Sequence, residues 1–307
     1  MKKQLGAEIT LLLITMIWGT TFLVVQNAIA VLPPNTFNGV RFTIATLFLI
    51  VTMALFYPKL RHSFTPKLLL SGLWIGFWLY LSYALQTIGL LYTTPSKAGF
   101  ITGLGVVLVP LFSLLLLKHK LTWQSTASVL AAVLGLYMLT MNQTQGLNVG
   151  DVLMFGCAIA VALQLVYTAK YAIYHPALPL AITQLATVAL LSWLYAFLFE
   201  DWHKAFDSSS MLDPKVTWGL LITAIPATAL AFLAQTAFQK LTTPTRMALI
   251  YALEPVFAAL TSYLWIDEVL TTRQMIGCFL ILSGMLITEL PLKAWAKTLF
   301  AKKRSPV

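Results

Sequence analysis

Long runs of apolar residues alternate with short polar breaks along the chain. Ten such runs can be laid out, over roughly 8–32, 36–57, 68–92, 95–117, 123–141, 151–173, 179–200, 216–240, 244–265 and 272–291. Each is close to the about 20 residues that a helix needs to cross a bilayer core. In hydrocarbon a spanning segment must satisfy its own backbone hydrogen bonds, so each run is predicted to be an α-helix. The breaks hold the turn formers and much of the charge: Pro33-Pro34-Asn35, Pro58 to Lys67, Lys118-His119-Lys120, Asn142 to Gly150, His175-Pro176 and Glu200 to Lys215. The last is the longest and most acidic. The expected fold class is an all-α integral membrane protein with ten transmembrane helices.

A second pattern lies over the first. Gln86-Thr87 is followed after five residues by Thr93-Thr94-Pro95, and Gln235-Thr236 after five by Thr242-Thr243-Pro244, an offset of 149. The same offset of 149 pairs Leu121-Thr122 with Leu270-Thr271 and Gly135 with Gly284. Gly6 to Asn27 aligns more loosely with Gly150 to Tyr171, at offset 144. A fixed offset held over tens of residues is an internal duplication. It divides the chain into helices 1–5 (8–141) and helices 6–10 (150–291), with a basic tail at 292–307. Five is odd, so the second half enters the bilayer from the opposite side. The expectation is two inverted five-helix repeats, an arrangement typical of transporters that alternate access around a midplane site, one half moving against the other.

Composition agrees with the spans. The chain of 307 residues is 59% hydrophobic and 10% charged, with a mean hydropathy of +0.83, whereas soluble domains carry roughly a quarter charged residues. The net charge of +10 belongs to topology rather than to nucleic acid. With the amino terminus in the cytoplasm, fifteen of the 20 Lys and Arg fall at inward ends, and five (Arg41, Lys97, Lys204, Lys215 and Arg273) at outward ends. Both termini are then cytoplasmic, in a multi-pass protein of the bacterial plasma (inner) membrane. Met1-Lys2-Lys3 leads into the first span rather than a cleaved leader. The tail from Lys293 to Arg304 fits a topology determinant touching anionic lipid. Cys157 and Cys278 lack zinc or disulfide spacing and read as small apolar core residues. His62, His119, His175 and His203 all fall in breaks, so neither a metal site nor a buried histidine relay is supported. No phosphate-binding Gly-x4-Gly-Lys-Ser/Thr loop occurs, and no cofactor is implied.

Several short stretches resemble a known family. Trp18-Gly19-Thr20-Thr21-Phe22, Arg41, Gly99-Phe100-Ile101-Thr102-Gly103 and Val109-Pro110 resemble the first half of an EamA-type protein. Leu253-Glu254-Pro255-Val256-Phe257, Asp267-Glu268-Val269-Leu270-Thr271 and Gly284 resemble the second. EamA proteins belong to the drug/metabolite transporter superfamily. The resemblance spans two repeats at about 8–141 and 150–290. One departure is that Lys118-His119-Lys120 stands where the second half has Asp267-Glu268-Val269. The resemblance implies a ten-helix carrier without an ATP-binding domain, often an exporter of amino acids or related metabolites. It does not imply a particular substrate.

The intramembrane polar residues are the candidate chemistry. Glu254 lies near the middle of the ninth span, where an acidic side chain costs about 2.5–3.5 kcal/mol to insert. It could contact a substrate amine or carry a proton. It could instead cap backbone groups freed by Pro255 or pair with Arg246; because Glu-Pro belongs to the family pattern, the structural role is placed slightly ahead. Helical spacing groups Met247, Tyr251, Glu254 and Ala258; Trp74, Trp78, Ser82 and Gln86; Thr228, Ala231 and Gln235; and Ala160, Gln164, Tyr167 and Tyr171. A cavity lined by Trp18, Trp78, Tyr83, Gln86, Gln164, Gln235, Tyr251 and Glu254 would suit a small amphipathic substrate. The repeat-related Gln86 and Gln235 could equally bond helix to helix, and Trp74 and Trp78 could face lipid. Arg41 and Lys97 are expected to snorkel outward, with a gate or anion contact as the sharper reading. Gly72 with Gly76, and Gly99 with Gly103, are expected to permit close helix packing. The reading is a secondary transporter with a small-molecule substrate, lipid around it and protons as a candidate coupling ion; monomer and homodimer stay open. The rivals are a non-transporting sensor or scaffold and a membrane-embedded enzyme, for which no paired catalytic residues occur at spanning depth.

Overall fold

The structure, a computed structural model, describes residues 2–93, 95–118, 122–140, 148–257, 260 and 271–289. Readings that fall on Thr94, the side chain of Lys97, His119-Lys120-Leu121, Ala258, Asp267 to Leu270 and the tail lie outside the described residues. Among the described residues the regular structure is helical throughout. Among the described residues seven helices are long and apolar enough to cross a bilayer: Gly6–Ile29, Pro34–Phe56, Pro66–Gly89, Ala98–Leu117, Val149–Ala172, Ala177–Phe199 and Pro214–Leu241.

The helices in chain order are α1 (Lys2–Ile29), α2 (Pro34–Phe56), α3 (Pro66–Gly89), α4 (Pro95–Gly103), α5 (Gly105–Leu117), α6 (Trp123–Thr140), α7 (Val149–Ala172), α8 (Ala177–Phe199), the short α9 (Ser208–Met211), α10 (Pro214–Ala224), α11 (Ala231–Phe238), α12 (Pro244–Tyr251) and α13 (Thr272–Glu289). Local chemistry sets their starts. Thr65 caps α3 by accepting from Leu68 N, with Pro66 in the first turn. Asp213 caps α10 ahead of Pro214. Asn148 and Asp151 form a reciprocal capping box on α7, the arrangement that satisfies two orphan helix donors at once. Helix α2 follows Pro33, which offers no side-chain cap. Its first donors are instead satisfied from another helix. The Glu200 carboxylate, at the end of α8, accepts from Asn35 N at 3.0 Å, Asn35 Nδ2 at 3.1 Å, Thr36 N at 2.8 Å and Thr36 Oγ1 at 2.9 Å.

Three of the predicted spans depart from a regular α-helix. The fourth divides at Leu104 into α4 and α5. The eighth carries a π-helical turn, Ile225–Leu230, between α10 and α11, where Pro226 supplies no N–H. The ninth stops at Tyr251, passes through a turn at Ala252 and Leu253, and resumes at Glu254. Leu104 plus the repeat offset of 149 is 253, so the breaks in spans four and nine are related by the duplication.

The heaviest packing joins helices of opposite halves: α6 with α13, α3 with α7 and α8, and α2 with α8. The two halves are thus interleaved, where the sequence suggested that one moves against the other. Small residues allow these crossings. A Cβ on Gly72 would lie 2.5 Å from Thr183 Cβ, and one on Gly76 would lie 2.5 Å from Thr187 Cβ. The repeat mates Gly135 and Gly284 both sit in the α6–α13 crossing. A Cβ there would meet the Gly277 carbonyl at 2.6 Å and the Ser128 carbonyl at 2.7 Å, respectively. Gly135→Ala and Gly284→Ala should each lower the thermal midpoint in detergent, at a cost of about 1–3 kcal/mol. Gly6→Ala, where a Cβ meets nothing within 4 Å, is the control. Melting curves that coincide for all three would contradict this packing.

Candidate functional site

The broken spans converge on one cavity of about 110 Å³. Helix α1 contributes Trp18, Thr21, Phe22 and Val25; α2 contributes Arg41; α3 contributes Ser82, Tyr83 and Gln86; α7 contributes Cys157 and Gln164; and α11 contributes Phe232 and Gln235. The fourth span lines it at its break with Gly103 and Gly105, and the ninth with Tyr251, Ala252, Glu254 and Pro255. A Cβ added to Gly99, also on the wall, would meet only Pro255 Cγ at 3.8 Å. Gly99 therefore serves the opening of the cavity, not the close packing expected of it.

Seven of the eight expected residues line this cavity: Trp18, Tyr83, Gln86, Gln164, Gln235, Tyr251 and Glu254. Trp78 does not. Its ring packs against Trp74 and Phe77, at centroid distances of 5.8 and 5.4 Å. The physical reason is helical drift: a four-residue step advances about 40° past a full turn, so the stripe through Trp74, Trp78, Ser82 and Gln86 winds around α3. Ser82 and Gln86 reach the cavity while Trp74 turns toward Tyr167 on α7, at 5.7 Å.

The residues differ in how they are held. Trp18 Nε1 donates to the Ala227 carbonyl inside the π turn at 2.7 Å, and its ring meets Tyr251 at 5.0 Å and Phe232 at 5.6 Å. Gln235 Nε2 donates to Gln164 Oε1 at 3.1 Å, and Gln164 Nε2 to Thr168 Oγ1 at 3.1 Å. Gln235 and Gln164 therefore tie α11 to α7. The side chain of Gln86, the repeat mate of Gln235, forms no hydrogen bond with a described residue and lines the cavity. The Tyr251 hydroxyl is buried without a hydrogen-bond partner among the described residues. The Glu254 carboxylate forms neither a hydrogen bond nor an ion pair with a described residue. Arg246, one cation offered as its structural partner, has its Nη1 3.7 Å from Glu8 Oε1 on α1. The repeat mate of Glu254 is Gly105, since 254 minus 149 is 105, so the carboxylate belongs to one half alone.

Arg41 is the main residue that sequence reasoning misplaced. It was expected to snorkel, yet it is 3% exposed. Its Nε donates to Thr228 Oγ1 at 2.7 Å, and the guanidinium lies 4.9 Å from the Tyr83 ring centroid and 5.6 Å from that of Phe42. No carboxylate of a described residue lies within ion-pair distance of it. The signal that could have found it is depth: Arg41 is seven residues past Pro34, about 10 Å along the helix and too deep to reach the interface cheaply. Arg41 and Glu254 thus place one cation and one carboxylate on the same cavity wall without pairing to each other. Such an arrangement can hold a small molecule bearing both charges, with aromatic faces for its apolar part.

The EamA-like transporter family matches residues 5–141 and again residues 148–290. An uncharacterized transporter of Archaeoglobus fulgidus is 36% identical over 289 residues, 94% of this chain and 87% of that protein. A protein of Escherichia coli described as a probable amino-acid metabolite efflux pump is 23% identical over 296 residues, 93% and 95% of the two chains. A crystal structure of a protein 20% identical superposes with a TM-score of 0.76 over 98% of each chain, which speaks for the fold alone.

The unequal bonding of the two glutamines is testable. Gln235→Ala strands Gln164 Oε1 in the interior and should cost about 1–3 kcal/mol of stability. Gln86→Ala removes no side-chain hydrogen bond to a described residue and should melt close to the parent. Equal loss in both variants would show that Gln86 is a strut as well.

Proposed function

The chain belongs to the EamA-like transporter family, and from that premise we propose that it is a secondary transporter moving small zwitterionic metabolites, amino acids or related amphipathic compounds, across the plasma membrane. The observation that carries the substrate class is the cavity that brings together the buried Arg41 guanidinium, which has no carboxylate partner among the described residues, and the Glu254 carboxylate and Tyr251 hydroxyl, which form no hydrogen bond with a described residue. Unpartnered polar groups in a membrane interior are costly, and a bound substrate or water would satisfy them. The Arg41 guanidinium suits the carboxylate of a zwitterion and Glu254 suits its ammonium group. Trp18, Tyr83, Gln86 and Tyr251 complete the walls. A volume near 110 Å³ lies below the about 300–1,000 Å³ of drug-sized sites, which suits a small metabolite.

In this reading ten spans form two inverted repeats, 8–141 and 150–291, with both termini cytoplasmic. The paired breaks at Leu104 and Leu253 support it, because discontinuous helices meeting at a midplane site are a recurrent device of such carriers. Alternating access then bends the chain at these breaks rather than separating two intact halves, since the halves interlock. Export is the favoured direction, by analogy with the efflux pump. Trp78 is withdrawn from the binding set. A scaffold would need no polar cavity, and the family argues for a transporter over an enzyme.

Counterflow in proteoliposomes tests the proposal. Vesicles loaded with a pool of neutral amino acids should take up labelled members of it above empty vesicles. The corresponding amines and deaminated acids should compete poorly. Arg41→Gln and Glu254→Gln should each lower uptake by about tenfold or more. Uptake of none of the pool by folded protein, with no ligand-induced thermal shift, would overturn the substrate class. If Glu254 also carries the coupling proton, Glu254→Gln should flatten the pH dependence of transport; an unaltered profile would leave it without a coupling role.

A further inference from the structure

A second cleft lies at the rim of the bundle, between the start of α3 and the end of α7. It has a volume of about 770 Å³ and is lined by Lys67, Leu70, Ser71, Trp74, Tyr171, Tyr174 and His175, with Thr65 at its edge. Its two walls are tied together. The Ser71 hydroxyl donates to the Lys67 carbonyl at 2.8 Å, and Ser71 Oγ lies 3.2 Å from His175 Nε2. With its own proton committed to Lys67, Ser71 Oγ accepts from a His175 ring N–H. Burial pushes the His175 pKa below the ordinary imidazole value, so near neutral pH the fixed charge of the cleft comes from Lys67. Lys170 stands nearby, its ammonium 5.5 Å from the Tyr171 ring centroid.

Neither Lys67 nor Lys170 forms an ion pair with a described residue. The chain has no Asp or Glu between Glu8 and Asp151, and none between Asp151 and Glu200. The Glu8 carboxylate is engaged by Arg246. Below the cationic mouth, α3 turns large apolar side chains outward: Leu70 is 71% exposed and Leu73 47%. Trp74 and Tyr174 place amphipathic rings where the polar mouth meets this apolar wall, the usual place of such rings at a membrane boundary. The cleft therefore offers a cation and hydroxyls at one end and an uncovered apolar track at the other.

We propose that this cleft is a binding site for one anionic phospholipid, its phosphate at Lys67 and its acyl chains along α3 beside Leu70 and Trp74. Basic pockets between spanning helices at a headgroup level are suited to such lipids. The site is separate from the transport cavity and does not depend on the transported substrate.

Native mass spectrometry of the detergent-purified protein, titrated with phosphatidylglycerol or phosphatidylcholine, tests it. The parent should retain one phosphatidylglycerol in preference to phosphatidylcholine. Lys67→Gln should weaken that retention about fivefold, and Lys67→Arg should restore it. A thermal melt in phosphatidylcholine alone confirms that each variant is folded. No preference in the parent, or an undiminished preference in folded Lys67→Gln, would overturn the proposal. Displacement of the lipid by equimolar inorganic phosphate would also overturn it, and would mark the cleft as a site for soluble phosphate.

Discussion

In hydrocarbon a polar atom must find a partner within the protein, and the architecture follows from how that demand is met. Regular helices meet it for their backbones. At the breaks in the fourth and ninth spans local turn bonds meet it, Leu104 N with the Phe100 carbonyl and Ala252 N with the Ala248 carbonyl, while the π turn of the eighth also takes side chains from other helices. Trp18 bonds to the Ala227 carbonyl within the π turn, and Arg41 bonds to Thr228 in the same turn. A π turn in a helix often marks a functional position, and here it holds two of the residues that shape the cavity. At the cavity the demand is left partly unmet, at the side chains of Tyr251, Gln86 and Glu254.

The same demand reaches the helix ends. Pro33 cannot cap α2, so Glu200 supplies the cap from the far end of α8 with four hydrogen bonds. A carboxylate at a helix start also meets the positive end of the helix dipole. This contact crosses the boundary between the repeats, as does the heaviest helix packing. The duplication is therefore visible in sequence and in the position of the breaks, but not as two separable bodies.

Much of the fold was legible because hydrophobic run length reports spanning helices directly, and the repeat offset required only counting. The expected starts at 68 and 216 fell two residues inside the observed ones, Pro66 and Pro214, which Thr65 and Asp213 cap. The breaks were less legible: Pro255 hinted at one, but Leu104 between Gly103 and Gly105 carries no breaker strong enough to predict a division. For the site, tryptophan, tyrosine and amide positions on helical stripes found most of the wall. Trp78 failed because a stripe with four-residue spacing drifts around its helix, and no sequence pattern says where the neighbouring helix crosses it. Arg41 was misplaced because a charge tally assigns a residue to a membrane side without weighing its depth. The trans cap by Glu200 joins residues 165 positions apart, a distance at which local chemistry gives no signal.

The unequal fates of Gln86 and Gln235 have one more consequence. Two inverted copies of one sequence would present matching chemistry to the two sides of a membrane, and a carrier so built would have no internal reason to rest facing one side rather than the other. Here one glutamine is a strut bonded to Gln164 and its mate is open, and Glu254 faces the cavity where the other repeat has Gly105. Under the proposed alternating access, these differences would make the two orientations unequal in energy. A resting bias toward one face of the membrane would then be written into the protein by a few substitutions between otherwise equivalent positions.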